Sequence, residues 1–372
     1  MRAFFFKHNP YLPDDCKAHS GDLADCMRLI KEGGFDVVHT NNPDWRKGIA
    51  AIRGIGAKVV ATSHGSIQAG DWTYGWNSSN CDGFVACSNW IAKELQDYTD
   101  LPIKVIFNGV DTNNFRPSEQ NHGTPSPIVA WVGRANDLTE KQVDRFAAIA
   151  PLLHEAGLRL WVVSTQGPEE LTRIGPEVAR TLLASTEFWG MVPLEEMPKM
   201  YQEVATSGGC VVSTSSSEGL PLALLEAQAC GCPVIGPDVR GINECVDPQH
   251  GGLLYSPQIK AEQLAKLILN TLHDTKEMQW RRTACADHVR TRFSLERMIQ
   301  EYLLFYREAP YSPRAGFLNR VNKRFRLSPF NWKDYVEHRW KVGCYQYHSS
   351  QELAANGEWN LASVAARAAI NN

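Results

Sequence analysis

Ser217–Pro233 reads SEGLPLALLEAQACGCP. It opens as a loop broken by Gly219 and Pro221, becomes an apolar helix, and stops at Gly231 and Pro233, residues that end helices. Two carboxylates frame it, Glu218 in the loop and Glu226 eight residues later on the helix. A helix that begins near Leu220 turns its free backbone N–H groups and positive dipole end toward the loop. That end is a ready site for a diphosphate. A short β-branched run precedes the stretch at Gly209–Val212 and another follows at Pro233–Ile235. The unit is therefore strand, loop, helix, strand, the repeating unit of a parallel α/β sheet.

The same alternation extends in both directions. Toward the C-terminus a strand is expected at Gly252–Tyr255, and toward the N-terminus at Thr186–Trp189, Leu158–Val163 and Ile128–Val132. Before these lies RPSEQNHGTPSP, Arg116–Pro127, polar and aperiodic, which reads as an interdomain linker. Beyond it the pattern resumes with strands expected at Ala3–Phe6, Asp36–His39, Lys58–Thr62, Gly83–Ala86 and Lys104–Phe107. Helices are expected at Asp22–Glu32 and Asn89–Tyr98, the second with Ser88 as its N-cap. The fold class expected is α/β, two Rossmann-like parallel-sheet domains at 1–118 and 119–295, with a helical extension at 296–372 that packs back on the first domain.

Length and composition agree with two domains. A chain of 372 residues exceeds one comfortable core. No apolar run approaches the roughly 20 residues of a spanning helix, and the start MRAFFFKHNP reads as a first strand rather than a secretory leader. Ten cysteines contain no C-x-x-C and no Cys/His ligand ladder, so reduced thiols in a cytoplasmic protein are expected. A net charge of −3 rules out little and predicts no general affinity for nucleic acid, so no nucleic-acid partner is expected. Residues 311–345 carry eight Lys or Arg against Asp334 and Glu337, interleaved with aromatics. Such a segment suits either a solvated helical face or peripheral contact with an anionic membrane surface.

With these residues in view, the E-x7-E stretch resembles the corresponding segment of family 4 retaining glycosyltransferases, which have the GT-B fold. Other segments match that family in order across about residues 36–256: DVVHTNN with His39, VVATSHGS with His64, VACSNWIAKEL, VIFNGVDTNNFRP, VAWVGR followed by Lys141, FWGMVP, CGCPVIGPDVRGINECV and GGLLY. The resemblance implies a sugar-nucleotide donor and a set of roles. Glu218 would bond the donor hexose, and the backbone of Gly219, Leu220, Pro221, Leu222 and Ala223 would meet the sugar and phosphates. Glu226 would accept the ribose hydroxyls. Arg134, beside Gly133, and Lys141 would neutralise the departing diphosphate, and the base would lie against Gly190, Met191, Val192 and Pro193. His64 would approach the sugar from the first domain, whereas His39 is read as structural.

Pro221 and Leu222 leave a small apolar rim without an extra cation, which favours UDP-glucose among donors. The acceptor implied is a saccharide or lipid-linked saccharide in polysaccharide biosynthesis. Neither a metal nor another cofactor is expected, since no Asp-x-Asp motif stands in a matching place. Two departures from the family pattern stand out. The loop after the first strand, KHNPYLPDDCKAHSG, lacks the usual glycines, and Lys141 lies farther from Arg134 than usual and is followed by Gln142 rather than Gly. Trp72, Tyr74 and Trp76 alternate after His64 and suit either stacking on an acceptor sugar or a half-buried strand. Two other readings use the same donor, a catalytically silent binding partner and a GT-B epimerase. A Rossmann oxidoreductase would need a Gly-x-Gly-x-x-Gly turn, and the chain has none.

Overall fold

The computed structural model describes residues 3–4, 28, 30, 32, 35–40, 57–65, 81–119 and 126–309. Trp72, Tyr74 and Trp76, the loop after the first strand, the basic segment 311–345, and Cys16, Cys26 and Cys344 lie outside them. By contacts, the described chain divides into two units: residues up to 106 together with 300–309, and residues 107–299.

The first unit is built on five parallel strands in sequential order: β1 (Ala3–Phe4), β2 (Val37–Thr40), β3 (Lys58–Ser63), β4 (Gly83–Ala86) and β5 (Ile103–Val105). The middle strands are short runs of Val, Ala and Phe whose residues are nearly all buried. A parallel sheet with both faces covered requires such runs. Helix α1 (Asn89–Leu95) starts where expected, and the Ser88 hydroxyl accepts a bond from Ile91 N at 3.2 Å. It ends three residues before Tyr98.

The second unit carries six parallel strands. In chain order its elements are β6 (Ile128–Val132), α2 (Val143–Glu155), β7 (Arg159–Val163), α3 (Pro168–Ile174), α4 (Pro176–Ser185), β8 (Glu187–Trp189), α5 (Met197–Thr206), β9 (Cys210–Val212), α6 (Leu222–Ala229), β10 (Val234–Pro237), α7 (Ile242–Cys245), β11 (Leu253–Tyr255), α8 (Ala261–His273), α9 (Thr275–Arg292) and α10 (Leu295–Glu308). The last helix crosses the division between the units, which falls after Ile299. The sheet order is β11-β10-β9-β6-β7-β8. Chain progress runs outward from β6 to β8, then returns to the other side of β6 and runs outward to β11. This is the doubly wound arrangement, and its reversal lies between β6 and β9. Trp131, Phe146, Leu153, Val162, Leu182, Ile235 and Ile268 form part of one buried core under the helices.

The contact division falls at Ile106/Phe107 rather than at 118/119. Long-range pairs draw Phe107–Ser118 into the second unit: Phe107 packs edge-on against Phe293, Val110 bridges Ser294, and Asn108 bonds Leu220 O. Residues 300–309 of α10 pack on the first unit. There Tyr306 and Tyr302 reach His39 and Thr62, and the Phe305 ring fills the space that a side chain at Gly83 would take. Seven described cysteines are buried and form no disulfide.

Candidate functional site

Parallel strands end on one edge, so the loops that follow β6, β8, β9 and β10 all leave the carboxyl edge of the second sheet. The sheet order reverses between β6 and β9, and the space outside the carboxyl edge at such a reversal is the usual ligand position in open α/β sheets. The two loops that meet there are 133–142, after β6, and 213–221, after β9.

They are stitched together by hydrogen bonds. Trp131 Nε1 donates to Thr214 Oγ1 at 2.9 Å, and the Thr214 hydroxyl lies 2.9 Å from both Lys141 O and Gln142 O. Ser216 N donates to Glu140 O at 2.7 Å, and Ser216 Oγ to Thr139 O at 3.0 Å. Across this seam Lys141 Nζ stands 2.5 Å from Glu218 Oε1, with both side chains mostly shielded from water. Seventy-seven residues of sequence separate the pair. Arg134 lies in the same loop, 2.7 Å from Asp137 and 3.5 Å from Glu140. Burial alone would raise the Asp137 carboxyl. The Glu140 N–H, the Arg134 guanidinium and the Thr139 hydroxyl outweigh it and hold the group below its ordinary range, so Arg134 faces a fixed anion.

The third loop supports Glu218 from behind. Glu218 N donates to Arg240 O at 3.0 Å, and Gly241 has φ 76°. A Cβ there would lie 2.1 Å from Glu218 O, so only glycine permits this approach. Helix α6 starts at Leu222 with Pro221 as its N-cap, two residues later than expected. Leu220 precedes a proline, which keeps it out of the helical region. Leu220 is buried and its carbonyl is held by Asn108, while Leu222 is exposed, and Gly219, Pro221, Ala223 and Glu226 are half-buried. The first turn of α6 therefore opens beside Glu218, with the unpaired N–H groups of a helix start facing the loop.

The structure thus brings Arg134, Lys141, Glu218 and the Gly219–Ala223 approach to one place. Gly133 follows β6 and opens the same loop. Gly190, Met191 and Val192 follow β8 on the same edge, two strands from β6, where Ser164 N bonds Trp189 O. His64 belongs to the first unit, at the end of β3, where Cys87 Sγ lies 3.7 Å from its carbonyl. His39 is held by Tyr306 and Thr62, as a structural histidine would be. The sequence reading missed Thr214, Ser216, Asn108 and Gly241; of these only Gly241, in VRGINE, carried a local signal. Among the described residues, the one group of three potential metal ligands is Asp247, His250 and His288, none of which belongs to these loops.

A solved glycosyltransferase from Rickettsia africae is similar in fold, with a TM-score of 0.63 at 21% identity over 77% of this chain and 80% of its own. HepE of Anabaena, solved in complex with UDP and glucose, is similar with a TM-score of 0.61 at 17% identity over 76% of this chain and 80% of that one. Two parallel α/β units of this kind define the GT-B class of glycosyltransferase fold. Residues 126–274 match the family Glycosyl transferases group 1, and residues 5–114 match Glycosyltransferase Family 4. The chain belongs to these glycosyltransferases, with the family 4 segment in its first half and the group 1 segment in its second. A D-inositol 3-phosphate glycosyltransferase of Salinispora arenicola is 29% identical over 270 residues, which cover 64% of this chain and 58% of that protein. The chain thus spans less than two thirds of that curated relative.

Proposed function

We propose that the chain is a retaining hexosyltransferase that takes its sugar from a nucleoside diphosphate donor and passes it to a saccharide or lipid-linked saccharide in polysaccharide biosynthesis. The observation that carries this reading is the Lys141–Glu218 pair, fixed by two stitched loops at the sheet's switch point in front of the start of α6. Lys141 forms an ion pair with Glu218. A diphosphate arriving at the α6 N-terminus offers Lys141 a second anion and frees a Glu218 oxygen to accept bonds from the sugar hydroxyls. Arg134, held by Asp137 and Glu140, adds a second cation. Glu226 on α6 would accept the ribose hydroxyls.

In the reaction, the bond between the anomeric carbon and the diphosphate oxygen breaks and its electrons leave with the diphosphate. The acceptor hydroxyl attacks from the same face, and its proton passes to the departing phosphate oxygen, so configuration is retained. Cations and helix N–H groups placed where charge develops lower the barrier, and one such donor contributes on the order of 3 kcal/mol. They make the transfer metal-independent in this reading. UDP-glucose is the expected donor: HepE, solved with UDP and glucose, supports it, as does the small apolar rim at Pro221 and Leu222. We place the reaction in the cytoplasm, with the basic segment 311–345 in peripheral contact with an anionic membrane. Among the described residues no helix is long and apolar enough to cross one.

The test is turnover of UDP-glucose in chelator with an acceptor panel. Release of UDP with a glycosylated product that keeps the α configuration is expected. Glu218→Ala should lower the rate at least about a hundredfold, as loss of one preorganised group does, with the fold retained. Conversion of donor without acceptor would instead make the chain an epimerase, and donor binding without chemistry a silent partner.

A further inference from the structure

The turn that leads into β11 is clamped onto α9. Gly251 has φ 87°, and a Cβ on it would lie 2.5 Å from Arg281 O. Arg281 Nη1 donates to Gly251 O at 3.2 Å and to Gly252 O at 2.6 Å, and its Nη2 meets Glu277 at 2.5 Å, which balances its charge. This clamp brings Asp247 and His250, from the turn, against His288 of α9. One donor atom from each, a carboxylate oxygen and two imidazole nitrogens, lies within 4.8 Å of the others. The two rings stack with centroids 4.4 Å apart, and His250 Nδ1 is 2.8 Å from Asp247 Oδ2.

The cluster is incomplete as it stands. His288 is 4% exposed, and its Nε2 is buried with no hydrogen-bond partner. Buried imidazole nitrogens are ordinarily paired. The Asp247 carboxylate is fixed by the Gln249 N–H, which donates to its Oδ1 at 2.9 Å. A buried imidazole nitrogen without a partner, a second imidazole and a fixed carboxylate make a borderline donor set of the kind that holds zinc.

We propose that Asp247, His250 and His288 bind a divalent transition metal of the Zn²⁺ class, which ties the turn before β11 to α9 and takes no part in sugar transfer. Tetrahedral zinc keeps its ligand atoms about 3.4 Å apart, so the three must draw together from their present spacing. The exposed His250 ring can make that adjustment, because its side chain is 49% accessible. The fourth position would be filled by water. The sequence pattern hides the group, since Asp247 and His250 are three apart while His288 is a full helix away.

The test uses the untagged full chain, stripped with chelator and titrated with Zn²⁺, Co²⁺ and Mg²⁺. One equivalent of Zn²⁺ should bind and raise the melting temperature, and Mg²⁺ should do neither. Co²⁺ should give the visible bands of a four-coordinate site without thiolate charge transfer. His250→Ala, an exposed position that leaves the core intact, should weaken Zn²⁺ at least about tenfold, and His288→Asn should do the same. Absence of stoichiometric Zn²⁺ uptake, equal uptake by His250→Ala, or a thiolate band from the buried cysteines would overturn the proposal. UDP binding measured on the same samples should be unchanged in His250→Ala, so this site and the transferase reading fail or stand separately.

Discussion

Gln142 adopts φ 48° and ψ 52°, a left-handed conformation that costs a residue with a Cβ about 1 to 2 kcal/mol. It follows Lys141, where the pattern of the family that the sequence resembles has glycine, and the conformation is one that glycine adopts without this cost. Thr214 bonds both Lys141 O and Gln142 O, so the strained turn is what carries Lys141 to Glu218. Gln142→Gly should leave stability within about 1 kcal/mol of wild type, because relief of strain offsets the added freedom of the unfolded chain. Gln142→Val should destabilise by about 1 to 2 kcal/mol, since a β-branched residue resists this region; denaturant midpoints of the pair check the order. Gly241→Ala is argued in the same way. Its new Cβ would collide with the Glu218 carbonyl, so turnover should fall at least about tenfold while thermal stability falls by less than a core truncation would cause. A variant with wild-type turnover would remove the Arg240–Gly241 turn from the positioning of Glu218. From sequence, Glu218, Glu226, Arg134 and Lys141 were legible as residue types in a motif. The pairing of Lys141 with Glu218 was not, because a loop of irregular length separates Lys141 from Arg134 and only the fold closes the distance.

At the scale of elements, strands with apolar β-branched runs were read to within a residue or two: β4 and β6 match their expected limits, and β3 gains Ser63. The Ser88 cap followed from its position before an amphipathic run. The start of α6 was read two residues early because apolar pattern alone ignores the restriction that Pro221 places on Leu220. The contact of α10 with β2 and β3 depends on side chains that no local pattern links. His39 Nδ1 lies 2.6 Å from Tyr306 Oη, its Nε2 2.7 Å from Thr62 Oγ1, and Thr62 Oγ1 3.1 Å from Tyr302 Oη. Burial, with His64 nearby, pushes His39 down to about 3 from an ordinary 6.5. The folded state therefore holds the neutral ring, while the unfolded chain takes up a proton below about pH 6.5. The stability this contributes is complete above pH 6.5 and is lost as pH falls toward 3, at up to about 1.4 kcal/mol per pH unit. His39→Gln should flatten the decline between pH 6.5 and 4 by about that slope, as measured by denaturant midpoints across the range. An unchanged slope would mean that His39 is charged in the folded protein.

At the scale of the whole molecule, the alternation of strands and helices is enough to specify two parallel sheets, and the doubly wound order of the second sheet explains why chemistry gathers after β6 and β9. The division of the chain was less legible. RPSEQNHGTPSP has the composition of a linker, but Phe107, Asn108 and Val110 bind residues 293, 220 and 294, contacts that composition does not encode. The Asp247, His250 and His288 group escaped for the same reason. The central claim is that the switch-point loops of the second unit hold a sugar-nucleotide diphosphate. It is tested most directly by the thermal shift of the full chain with UDP-glucose, UDP-galactose, UDP-N-acetylglucosamine and GDP-mannose in chelator. A donor at a hundred times its dissociation constant stabilises the folded state by about 2.7 kcal/mol. The account predicts a clear shift with UDP-glucose that disappears in Glu226→Ala. No shift with any of the four, or a shift that survives Glu226→Ala intact, would contradict it.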